Sequence, residues 1–187
     1  MQIYTHCRIV SQRDATWGLQ RISALGKVGQ APFTYTYDDT AAGQNTVAYV
    51  IDTGINDQHI EFGGRARKGP KFVKSWTDQG QTISDEDKAG HGTHCAGTIG
   101  SLAFGVAKKA EIIGIKVFND DEEPGASNSD IIEAIQYVID EANRHGKRSV
   151  ISLSLGGPPS VALDSAVAAA VRSGLVVCVA AGNVSVS

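Results

Sequence analysis

Two side chains in this sequence have the types and surroundings of an acid–base pair. Asp52 comes directly after the apolar run 47–51, and His91 stands between two glycines at the start of the small and apolar stretch 92–99. A carboxylate at a strand end can hold an imidazole by its Nδ1–H, fix its tautomer and stabilise the imidazolium. Taken singly, each residue is better explained as a cap of a turn or helix. Taken together, Asp52 and His91 are predicted to be catalytic.

A third polar group, Asn183, follows the sequence Ala-Ala-Gly at 180–182. A carboxamide at a strand end can donate its N–H to a developing oxyanion, an interaction worth about 3–4 kcal/mol in acyl transfer. The alternative is an asparagine that serves only the turn conformation.

A zinc site is the alternative use of the same region. His91 and His94 have the spacing H-x-x-H, and Asp52 or Cys95 would complete a ligand set. Zinc proteases with two histidines on a helix carry a Glu in H-E-x-x-H, and no such Glu is present. The sequence therefore favours acid–base chemistry over zinc.

Strand and helix patterns alternate along the chain. Continuous apolar runs predict buried strands, and these runs are 47–51, 112–118, 150–155 and 175–180. Helices are predicted from a capping box at Asp130 and Glu133 to Gly146, and from the N-cap Ser160 to Arg172. This alternation predicts an α/β fold with right-handed crossovers and a largely parallel sheet covered on both faces. Ligands bind beyond the carboxyl ends of such strands, which is where Asp52, Gly156, Gly157 and Asn183 fall.

The remaining segments carry weaker patterns. Residues 1–16 are predicted to be a loose extension, and 26–45 an exposed loop or edge hairpin. Residues 71–76 alternate charged and bulky side chains, which predicts a half-exposed strand.

Composition narrows the classes of partner. The chain has 187 residues, enough for one domain with a core. A net charge of −3 without a basic cluster argues against a nucleic-acid partner, and the apolar runs are too short to span a bilayer. The N-terminus lacks the apolar core of a secretory signal, which predicts retention in the cytosol.

Five motifs resemble those of the subtilisin-like serine proteases, and two of them narrow the resemblance to the proteinase K-like branch. They are Val-Ile-Asp-Thr-Gly at 50–54, His-Gly-Thr-His-Cys-Ala-Gly at 91–97, Gly-Val-Ala-Lys-Lys-Ala at 105–110, Ser-Leu-Ser-Leu-Gly-Gly at 152–157 and Ala-Ala-Gly-Asn at 180–183. The resemblance runs from residue 17 to 183. It implies a subtilisin-like three-layer fold, with helices on both sides of a mostly parallel central sheet, and a serine-type endopeptidase that hydrolyses peptide bonds.

The resemblance also implies roles. Asp52 and His91 correspond to two members of the Asp-His-Ser triad, and Asn183 to the oxyanion asparagine. Two segments correspond to the edges that hold an extended substrate; their residues are Gly125, Ala126 and Ser127, and Ser154, Leu155, Gly156 and Gly157. The resemblance further implies that the substrates are proteins or peptides and that the chemistry needs no cofactor. It also implies structural calcium with unassigned ligands, secretion, and a monomeric full-length form. Secretion conflicts with the absent signal.

The sequence departs from the family at one decisive point. No Gly-Thr-Ser-Met-Ala stretch, which carries the family's nucleophile, occurs in the 187 residues, and no Gly-x-Ser-x-Gly replaces it. We therefore expect a peptidase domain at 17–183 that is incomplete at its C-terminal end, an extension at 1–16 that includes a propeptide remnant, and an atypical tail at 184–187. A chain without the serine is predicted to be inactive. The alternative is a pseudoprotease or fragment that binds peptides by β-augmentation.

Overall fold

A five-stranded parallel sheet forms the centre of the computed structural model, which describes residues 7–121 and 125–183. Its strands are β3 Thr46–Asp52, β4 Ala66–Lys71, β5 Glu111–Lys116, β6 Arg148–Leu153 and β7 Val176–Val179. They lie side by side in the order β4-β5-β3-β6-β7. The four strands predicted from apolar runs are present as β3, β5, β6 and β7, and the sheet also contains β4, which was not predicted. The prediction of burial is wrong for β7, an edge strand of the described sheet in which Val176 and Val179 are 58% and 63% exposed.

The central strand β3 is buried on both faces, as its continuous apolar sequence predicts. Residues 47–51 are at most 6% exposed. The strand pairs with β5 on one side, where Asp52 lies opposite Lys116, and with β6 on the other, where Val50 lies opposite Ser152. This pairing brings the carboxyl ends of three strands to one edge of the sheet.

Helices cover both faces and complete the three layers. Helices α4 (Asn128–His145) and α5 (Val161–Arg172) pack on one face, against side chains such as Tyr49 and Ile151. Helix α3 (His91–Gly100) and the 3-10 helix Ile60–Phe62 pack on the opposite face, around Val50. The α/β, three-layer architecture is therefore confirmed. Among the described residues, no helix has the length and apolar character needed to cross a membrane.

The N-terminal segment is ordered over much of its length. Strand β1 (Ile9–Ala15) pairs antiparallel with β2 (Phe33–Asp38), and helix α1 (Trp17–Ser23) connects them. The prediction of a loose extension at 1–16 is therefore wrong over 9–15, because the partner strand lies about 25 residues away and leaves no local periodicity. Residues 1–6 and 184–187 lie outside the described residues, and the domain boundaries stay predictions.

Two local predictions are corrected. Residues 71–76 do not form a strand: β4 ends at Lys71 and a short helix, α2, covers Lys74–Thr77. Bulky residues at 73 and 76 are three apart and suit a helical turn as well as a strand, so the period was ambiguous. Helix α4 is capped by Ser127, whose Oγ accepts a hydrogen bond from Asp130 N at 3.2 Å, and not by Asp130. It ends at Gly146, and α5 begins after Ser160, as predicted.

Candidate active site

Asp52 is the last residue of β3 and is completely buried. Its Oδ1 accepts hydrogen bonds from His91 Nδ1 and from Thr53 N, each at 2.7 Å. Its Oδ2 is buried and has no hydrogen-bond partner within the described part of the chain. The carboxylate therefore directs one oxygen to the imidazole from a site that water does not reach.

His91 is the first residue of α3, directly after the N-cap Gly90, whose φ of 78° places it in the left-handed region. The imidazole is 54% exposed, in contrast to its carboxylate partner. An ionised carboxylate only accepts hydrogen bonds, so Nδ1 carries the proton and donates to Asp52. In the neutral ring, Nε2 then keeps its lone pair and can accept a proton. The predicted Asp52–His91 pair is thus assembled with the geometry of a general base and its orienting group.

Gly92 allows the start of α3 to lie close enough to the end of β3 for His91 to reach Asp52. A Cβ at this position would lie 2.2 Å from the Gly54 carbonyl oxygen and 3.1 Å from Asp52 Cβ. No side chain fits there, so α3 can begin directly above the end of β3.

Cys95 lies one helical turn after His91, with Sγ 3.9 Å from Nδ1 and 4.0 Å from Nε2. Burial raises the pKa of the Cys95 thiol, and a hydrogen bond with Ser154 opposes this rise. The thiol is therefore neutral at pH 7 and packs beneath the imidazole.

The residues that could hold a metal differ from the zinc set suggested by the sequence. Ligand atoms of Asp52, His91 and Cys95 lie within 4.8 Å of one another, whereas His94 is not in this group; it is exposed and lines a separate cavity beside α1. Thiol and imidazole ligands suit zinc and softer metals, while calcium prefers oxygen. The group does not fit calcium, and no calcium ligand is assigned.

Most of the predicted substrate-binding residues line one cavity of about 710 Å³ at the carboxyl edge of the sheet. They are Gly125, Ala126, Leu155, Gly156 and Gly157. Ala126 also forms an antiparallel bridge with Phe118. The other two residues have different surroundings: Ser127 caps α4, and Ser154 contacts Cys95.

Asn183 lies four residues after the end of β7 and is exposed. It is therefore on the edge of the sheet where Asp52 and the cavity lie, and two strands away from β3 in the sheet order. Its role as an oxyanion donor stays a prediction.

Sequence reasoning missed a buried ion pair behind Asp52. Lys116 at the end of β5 is 4% exposed; its Nζ donates to the Thr53 carbonyl at 2.7 Å and lies 3.0 Å from Asp120 Oδ1. A signal was present, because Lys116 is the one charged residue in the apolar run 112–118. Buried lysines require a partner, so this position could have been identified as a structural ammonium.

The buried pair predicts a loss of stability in acid. Burial raises the pKa of Asp120, but hydrogen bonds from Ser84 N and from the ammonium groups of Lys116 and Lys88 outweigh it and lower that pKa to about 2. Because the folded pKa lies below the ordinary value of 3.8, the carboxylate contributes stability above pH 4, and this contribution is lost as the pH falls toward 2. We expect Asp120→Asn to lower the free energy of unfolding by about 2 kcal/mol at pH 7 and by almost nothing at pH 2, measured by urea denaturation. The exposed Asp78→Asn variant is the control; an equal loss in both variants would contradict the prediction.

Comparisons with known proteins place this site in a family. Residues 43–187 match the Subtilase family, and the chain is 46% identical over 175 residues to Proteinase T of Parengyodontium album, covering 92% of this chain and 55% of that protein. It is also 46% identical to a cuticle-degrading protease of Metarhizium anisopliae, covering 94% of this chain and 42% of that protein. The chain spans about half the length of the curated relatives it matches.

Comparison with solved structures points to the same family. A cold-adapted subtilisin-like serine proteinase superposes with a TM-score of 0.73 at 39% identity, covering 91% of this chain and 57% of that one. Sphericase superposes with a TM-score of 0.66 at 29% identity, covering 78% and 48%. The fold and the site together define a class of protein: a parallel α/β domain in which a buried Asp at a strand end holds an exposed His. The chain belongs to the subtilase family of serine endopeptidases and has proteinase K-like relatives.

Proposed function

We propose that this chain supplies the general base of a subtilisin-like serine endopeptidase that hydrolyses internal peptide bonds of protein substrates. The observation that supports this most directly is the 2.7 Å hydrogen bond between His91 Nδ1 and the buried Asp52 carboxylate. In the reaction, His91 Nε2 takes the proton of the attacking serine hydroxyl and later gives it to the leaving amine. Asp52 keeps the imidazole in the correct tautomer and stabilises the imidazolium, and the Asn183 side chain donates to the oxyanion.

The substrate is proposed to bind as an extended chain between residues 125–127 and 154–157. The cavity of about 710 Å³ between these segments has apolar walls that include Leu153, Leu155 and Val167. Such walls suit an apolar or aromatic side chain next to the cleaved bond.

The nucleophile is the part of the triad that these 187 residues do not provide. No serine occurs in a Gly-Thr-Ser-Met-Ala context, and Ser154, which contacts Cys95, belongs to the substrate-binding edge in this proposal. The 187-residue polypeptide tested by itself is therefore expected to bind peptides without forming an acyl-enzyme. Binding without turnover is also the behaviour of the second candidate function, a non-catalytic peptide-binding protein, which the preformed cavity favours.

Other properties of the whole protein follow from the family and are proposals. They are secretion, a monomeric state and a structural role for calcium. Ligands for calcium are not assigned, and no step of the reaction passes through a metal.

A chimera separates the two candidate functions. Joining this chain at Asn183 to the C-terminal part of Proteinase T supplies the serine segment of a 46%-identical relative. We expect hydrolysis of a fluorogenic peptide that falls about 10⁴-fold in the Asp52→Asn chimera, as this change does in other Asp–His–Ser proteases, with a similar or larger fall for His91→Ala. His59→Ala, an exposed histidine on the 3-10 helix side, is the matched control and should keep its activity. A folded chimera that binds peptide but never hydrolyses it would favour the peptide-binding function.

A further inference from the structure

Asp87, four residues before His91, is the acceptor of four hydrogen bonds from two separate elements. Its Oδ1 accepts from Thr53 Oγ1 at 2.7 Å and from Gly90 N at 2.8 Å. Its Oδ2 accepts from Thr93 N at 2.8 Å and from Thr93 Oγ1 at 2.5 Å. Thr53 follows the last residue of β3, whereas Gly90 and Thr93 belong to the start of α3. One carboxylate therefore joins the strand that carries Asp52 to the helix turn that carries His91.

The two threonine hydroxyls extend this connection. Thr53 Oγ1 donates to Asp87 and accepts from Gly92 N at 2.9 Å. Thr93 Oγ1 donates to Asp87 and accepts from Asn56 N at 2.9 Å. Each hydroxyl thus uses its proton toward the carboxylate and its lone pair toward a backbone amide.

The network satisfies the first turn of α3 in place of an ordinary cap. The first N–H groups of a helix have no partner within the helix, and the N-cap Gly90 has no side chain to provide one. Asp87 accepts from Thr93 N directly, and Thr53 accepts from Gly92 N. Because a negative charge at a helix N-terminus is favourable, the carboxylate is also well placed electrostatically.

We propose that Asp87 is a positioning residue for His91: it fixes the first turn of α3 against the end of β3, so that the imidazole stays within hydrogen-bonding distance of Asp52. The inference rests on the proposed function of His91 as the general base. Asp87 contacts neither reacting group and acts through Thr53 and Thr93.

The charge state of Asp87 agrees with this role. Burial raises the pKa of the Asp87 carboxyl, but hydrogen bonds from Thr93, Thr53 and Gly90 outweigh it, and the pKa lies below its ordinary value. The acceptor is therefore ionised at neutral pH. A helix start that moves by about 1 Å is enough to cost 10²-fold in rate when a catalytic group is misplaced.

Nuclear magnetic resonance of the 187-residue chain tests the proposal without any need for turnover. The His91 Nδ1 proton, held by Asp52, is assigned by its loss in His91→Ala. In Asp87→Asn, one oxygen becomes an NH₂ group that cannot accept. We expect this variant to broaden or lose the Nδ1 proton signal and to lower the exchange protection of the Gly92 and Thr93 amides at least tenfold, while amides of β5 keep theirs.

The matched control is Asp85→Asn, which removes an exposed aspartate from the same loop, paired with Lys71 instead of α3. It should leave the His91 signal and the α3 amides unchanged. If Asp87→Asn does not fold, Thr93→Ala is the milder change. It removes the Oγ1 bond, one of the four to Asp87, and the bond from Asn56 N, while the bond from the Thr93 backbone N–H remains; it should weaken the same signals. An unchanged Nδ1 proton in a folded Asp87→Asn or Thr93→Ala variant would overturn the proposal.

Turnover of the Proteinase T chimera distinguishes this proposal from the proposed function. With hydrolysis present, Asp87→Asn should lower kcat 10- to 100-fold and leave KM nearly unchanged, because the substrate-binding segments are not touched. Equal losses in the Asp85 and Asp87 variants would contradict a positioning role. If the chimera does not hydrolyse peptides but Asp87→Asn still releases the His91 proton, the proposed function fails and the positioning of His91 by Asp87 stands.

Discussion

Replacing Gly92 with alanine should lower the free energy of unfolding by about 3 kcal/mol or more and separate His91 from Asp52. The new Cβ would meet the Gly54 carbonyl oxygen at 2.2 Å, and this oxygen belongs to the backbone. A collision with a flexible side chain is relieved by a change of rotamer, whereas this one requires the helix or the end of β3 to move. Overpacking of this kind usually costs 1–3 kcal/mol, and a backbone collision lies at or beyond the upper end of that range.

Gly97 offers a matched control on the same helix. A Cβ at that position would meet no heavy atom within 4 Å, and the backbone conformation is helical. Gly97→Ala should therefore leave stability unchanged or raise it by about 0.5–1 kcal/mol, because alanine has less freedom to lose in a helix. Urea denaturation measures both variants, and the His91 Nδ1 proton reports the site. A Gly92→Ala chain as stable as Gly97→Ala, with the proton signal intact, would show that α3 does not need this close approach.

The sequence was informative where a residue and its immediate neighbours decide the structure. A continuous apolar run ending on Asp52 predicts a buried strand and places the carboxylate at its end, and the small and apolar stretch 92–99 suits a buried helix that His91 enters. Since the carboxyl ends of neighbouring parallel strands meet at one edge, these two local readings were enough to bring Asp52, the cavity residues Gly156 and Gly157, and the helix of His91 to the same side of the sheet.

Contacts between distant segments were outside the reach of local patterns. Asp87 lies in a polar, acidic loop whose other carboxylates are exposed, so the neighbouring sequence does not distinguish Asp87 from them. Its structural role depends on the hydrogen bond from Thr53, which lies 34 residues earlier in the chain. Strand β1 was missed for the same reason, because it is formed by pairing with the distant strand β2. Lys116 is different. A charged residue inside a buried run was visible, but the identity of its partner required the fold.

Replacing Lys116 with methionine should lower the free energy of unfolding by about 3 kcal/mol, the second large effect that the structure predicts. Removal of one partner from a buried ion pair leaves an uncompensated charge, at a cost of about 3–5 kcal/mol. Asp120 keeps a salt bridge to Lys88 and a hydrogen bond from Ser84 N, so the lower end of that range applies. The Thr53 carbonyl also loses its bond from Lys116 Nζ, and Thr53 contacts Asp52, Gly92 and Asp87.

Lys68→Met is the control for the loss of a lysine from an ion pair. Lys68 bonds to Glu86 at 3.0 Å, but their side chains are 33% and 68% exposed, so this pair is worth less than about 1 kcal/mol. The double variant Lys116→Met with Asp120→Leu removes both buried charges and should recover part of the stability, because an apolar pair needs no compensation. Urea denaturation at pH 7 measures all three variants. If Lys116→Met cost no more than Lys68→Met, the ammonium would not be needed to hold Thr53, and the support of the Asp52 strand end would have to come from Asp87 and the backbone alone.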